Sequence, residues 1–119
     1  MKPLAIHRLG LACLAVAAAA APARAAPSFE ADVWPYLQSH CLGCHGEAKQ
    51  EGEFRIDALS REVGLENTPQ WAEVIGRMTA GEMPPKEVPH PPTADETAAA
   101  VRWLSARLAE GEAAGLARR

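Results

Sequence analysis

Cys41-Leu42-Gly43-Cys44-His45 is the stretch on which the reading of this chain turns. Two cysteines three apart fall on the same side of a helical turn, and the next residue lies close to the first on that face. C-x-x-C-H is the attachment signature of a c-type haem. Each thiol adds across one vinyl group of the porphyrin, and the histidine ligates the iron from one side. The rest of the sequence then reads as a container for one covalently attached haem c.

The 119 residues carry a net charge of −3. Lys2, His7 and Arg8 make a basic start, Leu9 to Ala21 is an apolar run, and Ala23-Arg24-Ala25 is a small-x-small cleavage site. That is the three-part layout of a secretory signal peptide. The run falls short of the roughly 20 residues that span a bilayer. Cleavage is expected after Ala25, with an uncleaved membrane anchor as the alternative. Cys13 lies inside the run without a leucine three residues before it, where Gly10 stands, so it reads as a small apolar residue of the leader.

Residues 26–119 suffice for one small domain, expected over 26–110 with a flexible tail at 111–119. Removing the leader takes away Lys2, Arg8 and Arg24 and no acidic residue, so the charge falls from −3 to −6. An acidic chain has no electrostatic reason to hold nucleic acid, whose affinity rests on neutralised phosphates. Redox partners with a basic docking surface suit it, because complementary charge speeds encounter. Only Cys41 and Cys44 remain after cleavage, and they close too small a loop to act as a structural staple. A small exported domain has a marginal core. A buried haem would supply the missing apolar surface.

Ser28 to about His40 reads as a helix, with Phe29, Val33 and Leu37 on one stripe and Ser28 as N-cap. Pro35 removes the hydrogen bond back to Ala31, so a kink or a late start is expected there. Residues 46–67 are polar and loop-like. Their one strand-like piece is Glu53-Phe54-Arg55-Ile56-Asp57, which reads either as a haem edge or as a loop with two apolar anchors. Thr68-Pro69 opens a second helix, with Thr68 as N-cap. Trp71, Val74, Ile75 and Met78 give it an apolar face, and Gly81 ends it in left-handed geometry. Five prolines between Pro84 and Pro92 make a stiff, extended connection. The last helix starts at Thr93 with Glu96 completing a capping box. It is expected to reach about Glu110, with a stripe of Thr97, Val101, Leu104 and Leu108. First and last helices are expected to cross, with Trp71 and Trp103 walling the haem and one indole donating to a propionate or a backbone carbonyl. The fold class is all-α, about three main helices around one haem.

A haem held by one histidine has an open face, and its sixth ligand decides between electron carriage and ligand chemistry. Met78, Met83, His40 and His90 are the candidates. Met78 belongs to a helical stripe, where methionine is usually packing. His40 adjoins the motif, reaches the far face with difficulty, and is read as exposed. Met83 lies past the helix end, outside any periodic pattern, and the prolines after it stiffen its backbone. Met83 is therefore the expected ligand, with His90 as the fallback.

The order Phe29…Val33-Trp34-Pro35…Cys41-Leu42-Gly43-Cys44-His45-Gly46, then Lys49-Gln50-Glu51-Gly52, Phe54-Arg55-Ile56-Asp57, Trp71…Val74 and Gly81-Glu82-Met83-Pro84-Pro85 resembles the planctomycete-type cytochrome c domain. The resemblance covers roughly Phe29 to Leu108. It implies a small cytochrome c-like fold, His45 and Met83 as axial ligands of the iron, and electron transfer as the role. The chain departs from the family in having Glu53 where a second glycine is usual. The family's large C-terminal region does not follow the last helix, which implies either a free-standing carrier or a module beside another oxidoreductase subunit.

The expected function is thus that of an exported, periplasmic monohaem cytochrome c working in one-electron transfer, with no enzyme activity of its own. Three other readings compete with it. A structural zinc site on Cys41, Cys44, His45 and His90 has acceptable donors, but three crowd into five residues. An open-face haem, a ligand sensor or an oxidoreductase's haem subunit, needs distal acid–base groups, and Arg55 and Arg77 read better as partners of a propionate. A thioredoxin-like use of the cysteines needs a βαβ context that the sequence lacks.

Overall fold

The computed structural model describes residues 19–23 and 25–119. The leader expected over residues 1–25, with Cys13, lies largely outside the described residues. Three helices carry the fold: α1 (Trp34–His40), α2 (Thr68–Thr79) and α3 (Ala94–Ala117). No strand occurs among the described residues, and the class is the expected all-α one.

The first helix starts late, as Pro35 requires. Phe29–Val33 forms a wide π-type turn capped by Ser28, and the Trp34 N–H reaches back to the Phe29 carbonyl. Pro35 then sits in the first turn of α1, where its missing N–H costs nothing. The second helix begins one residue earlier than expected. Asn67 is its N-cap and makes no side-chain capping bond, while Thr68 Oγ1 donates to the Leu65 carbonyl instead. At α3 the capping box is complete: Glu96 N–H donates to Thr93 Oγ1 at 3.2 Å, and Thr93 N–H donates to Glu96 Oε2 at 2.7 Å. The Thr93 N–H and the Thr93 hydroxyl, both donating to Oε2, hold the Glu96 carboxyl below its ordinary range.

Helix α3 does not end near Glu110 but runs to Ala117. Glu112, Ala113, Ala114 and Leu116 all propagate helix well, and Gly111 is needed for contact. A Cβ there would run into the Gly64 carbonyl oxygen, and one on Gly64 would stand 2.6 Å from the Arg107 carbonyl. Two glycines thus let the 60–67 loop lie directly against α3.

The core joins Phe29, Val33 and Leu37 to Trp71, Leu104 and Leu108, with Val63, Ile56, Met78 and Ala100 completing it and Val101 packed on its edge. Phe29 meets the edges of Trp71 at 5.7 Å and Trp103 at 5.8 Å between ring centres. Such pairs add about 0.5–1.5 kcal/mol beyond burial. Tyr36 and Thr97 share a 3.0 Å hydrogen bond between the first and last helices. Arg61 stacks on Trp34 at 4.0 Å and closes this core from outside.

Candidate functional site

The motif folds as one helical turn at the end of α1. The Cys44 N–H donates to the Cys41 carbonyl at 3.1 Å, and the His45 N–H donates to the same carbonyl at 2.9 Å. Positions 41, 44 and 45 therefore share a face, as their spacing implied. The loop that follows is stitched back onto the turn. Glu51 N–H donates to the Cys44 carbonyl at 2.9 Å and Ile56 N–H to the His45 carbonyl at 2.8 Å. Gly46 is buried here, and a Cβ would stand 2.6 Å from the Leu42 carbonyl oxygen.

Between this turn and α2 lies a cavity of about 760 Å³. Cys41, His45, Phe54 and Ile56 line it from the motif side, Val74, Met78 and Arg77 from α2, and Met83 from the segment after α2. The Phe54 ring stands edge-on to His45 at 5.4 Å. Phe54 and Ile56 are not on a strand; two short 3₁₀ turns, Glu51–Glu53 and Ile56–Ala58, flank an extended pair. Gly52 and Glu53 both take positive φ, 63° and 55°. The backbone thus makes the left-handed turn at Glu53 that a second glycine would ease.

Cys44 is half-buried and is not among the residues lining the cavity; Cys41 is. Burial, with a further contribution from Cys44, pushes the Cys41 thiol up to about 11. It is held as a thiol at neutral pH, not as a reactive thiolate. His40 and His90 lie outside the lining. His40 is half-buried beside Tyr36 rather than exposed, and His90 is exposed. Among the described residues no three His, Cys, Asp or Glu side chains gather as a metal-ion site, so the zinc set is not assembled.

Of the two expectations for the tryptophans, the indole bond to a backbone carbonyl holds and the place on the haem wall does not. Trp71 is wholly buried in the helical core, its indole N–H donating to the Ser60 carbonyl at 3.1 Å, and Trp103 packs on Phe29. Neither lines the cavity. The face of α2 turned to the cavity is offset from its tryptophan stripe and includes Gln70, Glu73, Val74 and Arg77. The sequence pointed to Arg77 as a haem neighbour but not to Gln70 or Glu73. The visible signal was spacing, since 70, 73, 74 and 77 repeat at helical intervals beside the core stripe.

The cavity suits a haem. Its size falls in the roughly 300–1,000 Å³ range of cofactor pockets, and thiol, imidazole and thioether, the donors of a c-type centre, all meet it. His45 Nδ1 is buried without a hydrogen-bond partner, a polar atom that the described protein leaves unmatched.

A small all-helical chain with a one-turn C-x-x-C-H motif beside an apolar cavity has the build of a haem-binding c-type cytochrome. Residues 41–87 match the family model described as Planctomycete cytochrome C. That match bears out the resemblance read from the motif and the Gly81–Pro85 segment, over a shorter stretch than Phe29 to Leu108. No curated protein and no solved structure matches the chain.

Proposed function

We propose that this chain is an exported monohaem cytochrome c that carries single electrons. Cys41 and Cys44 would hold the macrocycle by thioethers, and His45 and Met83 would ligate the iron. The observation that carries this reading is the cavity itself, which brings Cys41 and His45 of the motif turn to one space with Met83 from the segment after α2. When bound, a haem supplies an iron that accepts and returns one electron.

Each thiol would be attached by addition of its S–H across one vinyl group, with a C–S bond formed and the hydrogen placed on the adjacent carbon. No oxidant is consumed. His45 holds one side of the site on a helical turn, and Met83 approaches from beyond α2. Two fixed ligands leave little to reorganise when the charge changes. Apolar walls and a thioether favour a higher potential than two histidines would. This family is generally one of electron carriers, not enzymes.

Export rests on the leader pattern of residues 1–25 and places the protein in the periplasm. Among the described residues no helix is long and apolar enough to cross a membrane. For partners, the charge of −6 over residues 26–119 favours a protein with a basic docking surface, free-standing or within a larger oxidoreductase.

Met83→Ala tests the ligation. The variant should retain covalent haem and helical content, lose the charge-transfer band of a ferric thioether complex, bind exogenous imidazole readily and show a lower potential. Unchanged spectra and potential would remove Met83 from the site.

A further inference from the structure

The segment that carries Met83 is tied to one residue of α2. Gly81, at φ 72°, closes that helix as a Schellman motif. Its N–H donates to the Met78 carbonyl at 3.2 Å, and the Glu82 N–H donates to the Arg77 carbonyl at 3.0 Å. The Arg77 carbonyl then takes a second donor, the Met83 N–H, at 3.2 Å.

The Arg77 side chain acts on the same segment. Its Nε donates to Glu73 Oε1 at 2.8 Å, and its Nη1 donates to Glu82 Oε2 at 3.1 Å. Residue 82 is therefore held by main chain and side chain at once, immediately before the candidate ligand. The three side chains are 52–68% exposed. Ion pairs so exposed are weak, and salt screens them.

We propose that Glu73, Arg77 and Glu82 form a salt-sensitive latch on the Met83 arm, with Arg77 the positioning residue that sets how readily the arm swings away. The proposal rests on Met83 being an axial ligand. The backbone bonds fix the root of the arm whatever side chain stands at 77. The guanidinium adds a tether to Glu82 and shares it with Glu73, a fork that lysine's single ammonium cannot reproduce. Weakening the tether lengthens the fraction of time in which the thioether is away, and a small ligand enters the cavity in that interval.

The test uses the ferric holoprotein and imidazole as probe, at a pH where imidazole is uncharged. Its uptake is followed optically at low salt and at about 1 M salt, where the screening length falls to about 3 Å. At low salt Arg77→Gln should take up imidazole roughly two- to fivefold faster than wild type, with Arg77→Lys in between. Wild type should accelerate with salt towards the variant, whose own rate stays nearly flat. Equal, salt-independent rates in a wild type that shows the thioether band would overturn the latch and leave the ligation standing. A wild type without that band would overturn both. Should Arg77→Gln fail to accumulate, Glu82→Gln removes the same tether, and the wild-type salt series alone decides.

Discussion

Trp71 and His45 stand in two regions that are built differently. Trp71 is fully buried, edge-on to Phe29, and its one polar atom is matched by the Ser60 carbonyl. His45 is half-buried, edge-on to Phe54, and its Nδ1 has no partner. Around Trp71 the helices close on one another through side chains. Around His45 the loop is closed by backbone bonds from Glu51 and Ile56, and a cavity remains beside it. The first region is a finished core; the second is shaped to receive something. A buried haem is expected to supply apolar surface that the small domain lacks, and the helical core sets how much is needed. Ile56 and Met78 are the two core residues that also line the cavity, so most of the core packs without it.

The contrast is sharpened by removing one aromatic ring from each region. Trp71→Ala should cost about 3–5 kcal/mol, the range for a large core deletion. Phe54→Ala, on a half-buried ring, should cost clearly less while shifting the optical spectrum of the bound haem. Urea unfolding followed by far-UV circular dichroism reads both. Equal losses would mean that the cavity wall and the helical core are one cooperative unit.

A smaller effect is expected where the loop meets α3. Gly111→Ala places a methyl group against the Gly64 carbonyl and should cost about 1–3 kcal/mol. Neither Gly111 nor Gly64 lines the cavity, so the haem spectrum should be unaltered. A spectrum that moves with Gly111 would show that the two regions are coupled through the 60–67 loop.

How far each region could be read from the sequence follows from the same difference. Periodicity identifies side chains that meet other helices, and it found Phe29, Leu37, Trp71 and Leu104 directly. It also placed both tryptophans beside the haem, because a stripe says that a residue is buried and not which neighbour buries it. The motif turn was legible because spacing alone puts Cys41, Cys44 and His45 on one face. Met83, singled out by its prolines and its place outside any stripe, does line the cavity. The alternation of Phe54 and Ile56 suggested a strand, but Gly52 and Glu53 bend the chain and leave these residues no partner strand. The end of α3 was misplaced because residues 111–119 read as a flexible tail, whereas the missing side chain of Gly111 serves the contact with Gly64. The Arg77 tether was hidden, since ion pairs across a helix end leave no periodic trace.

The intact mass of protein exported from a host that matures c-type haem tests the central claim most directly. The account predicts a chain lacking its leader and heavier by one haem, with no free thiol at Cys41 or Cys44. Bare thiols or a Cys41–Cys44 disulfide in such material would contradict it.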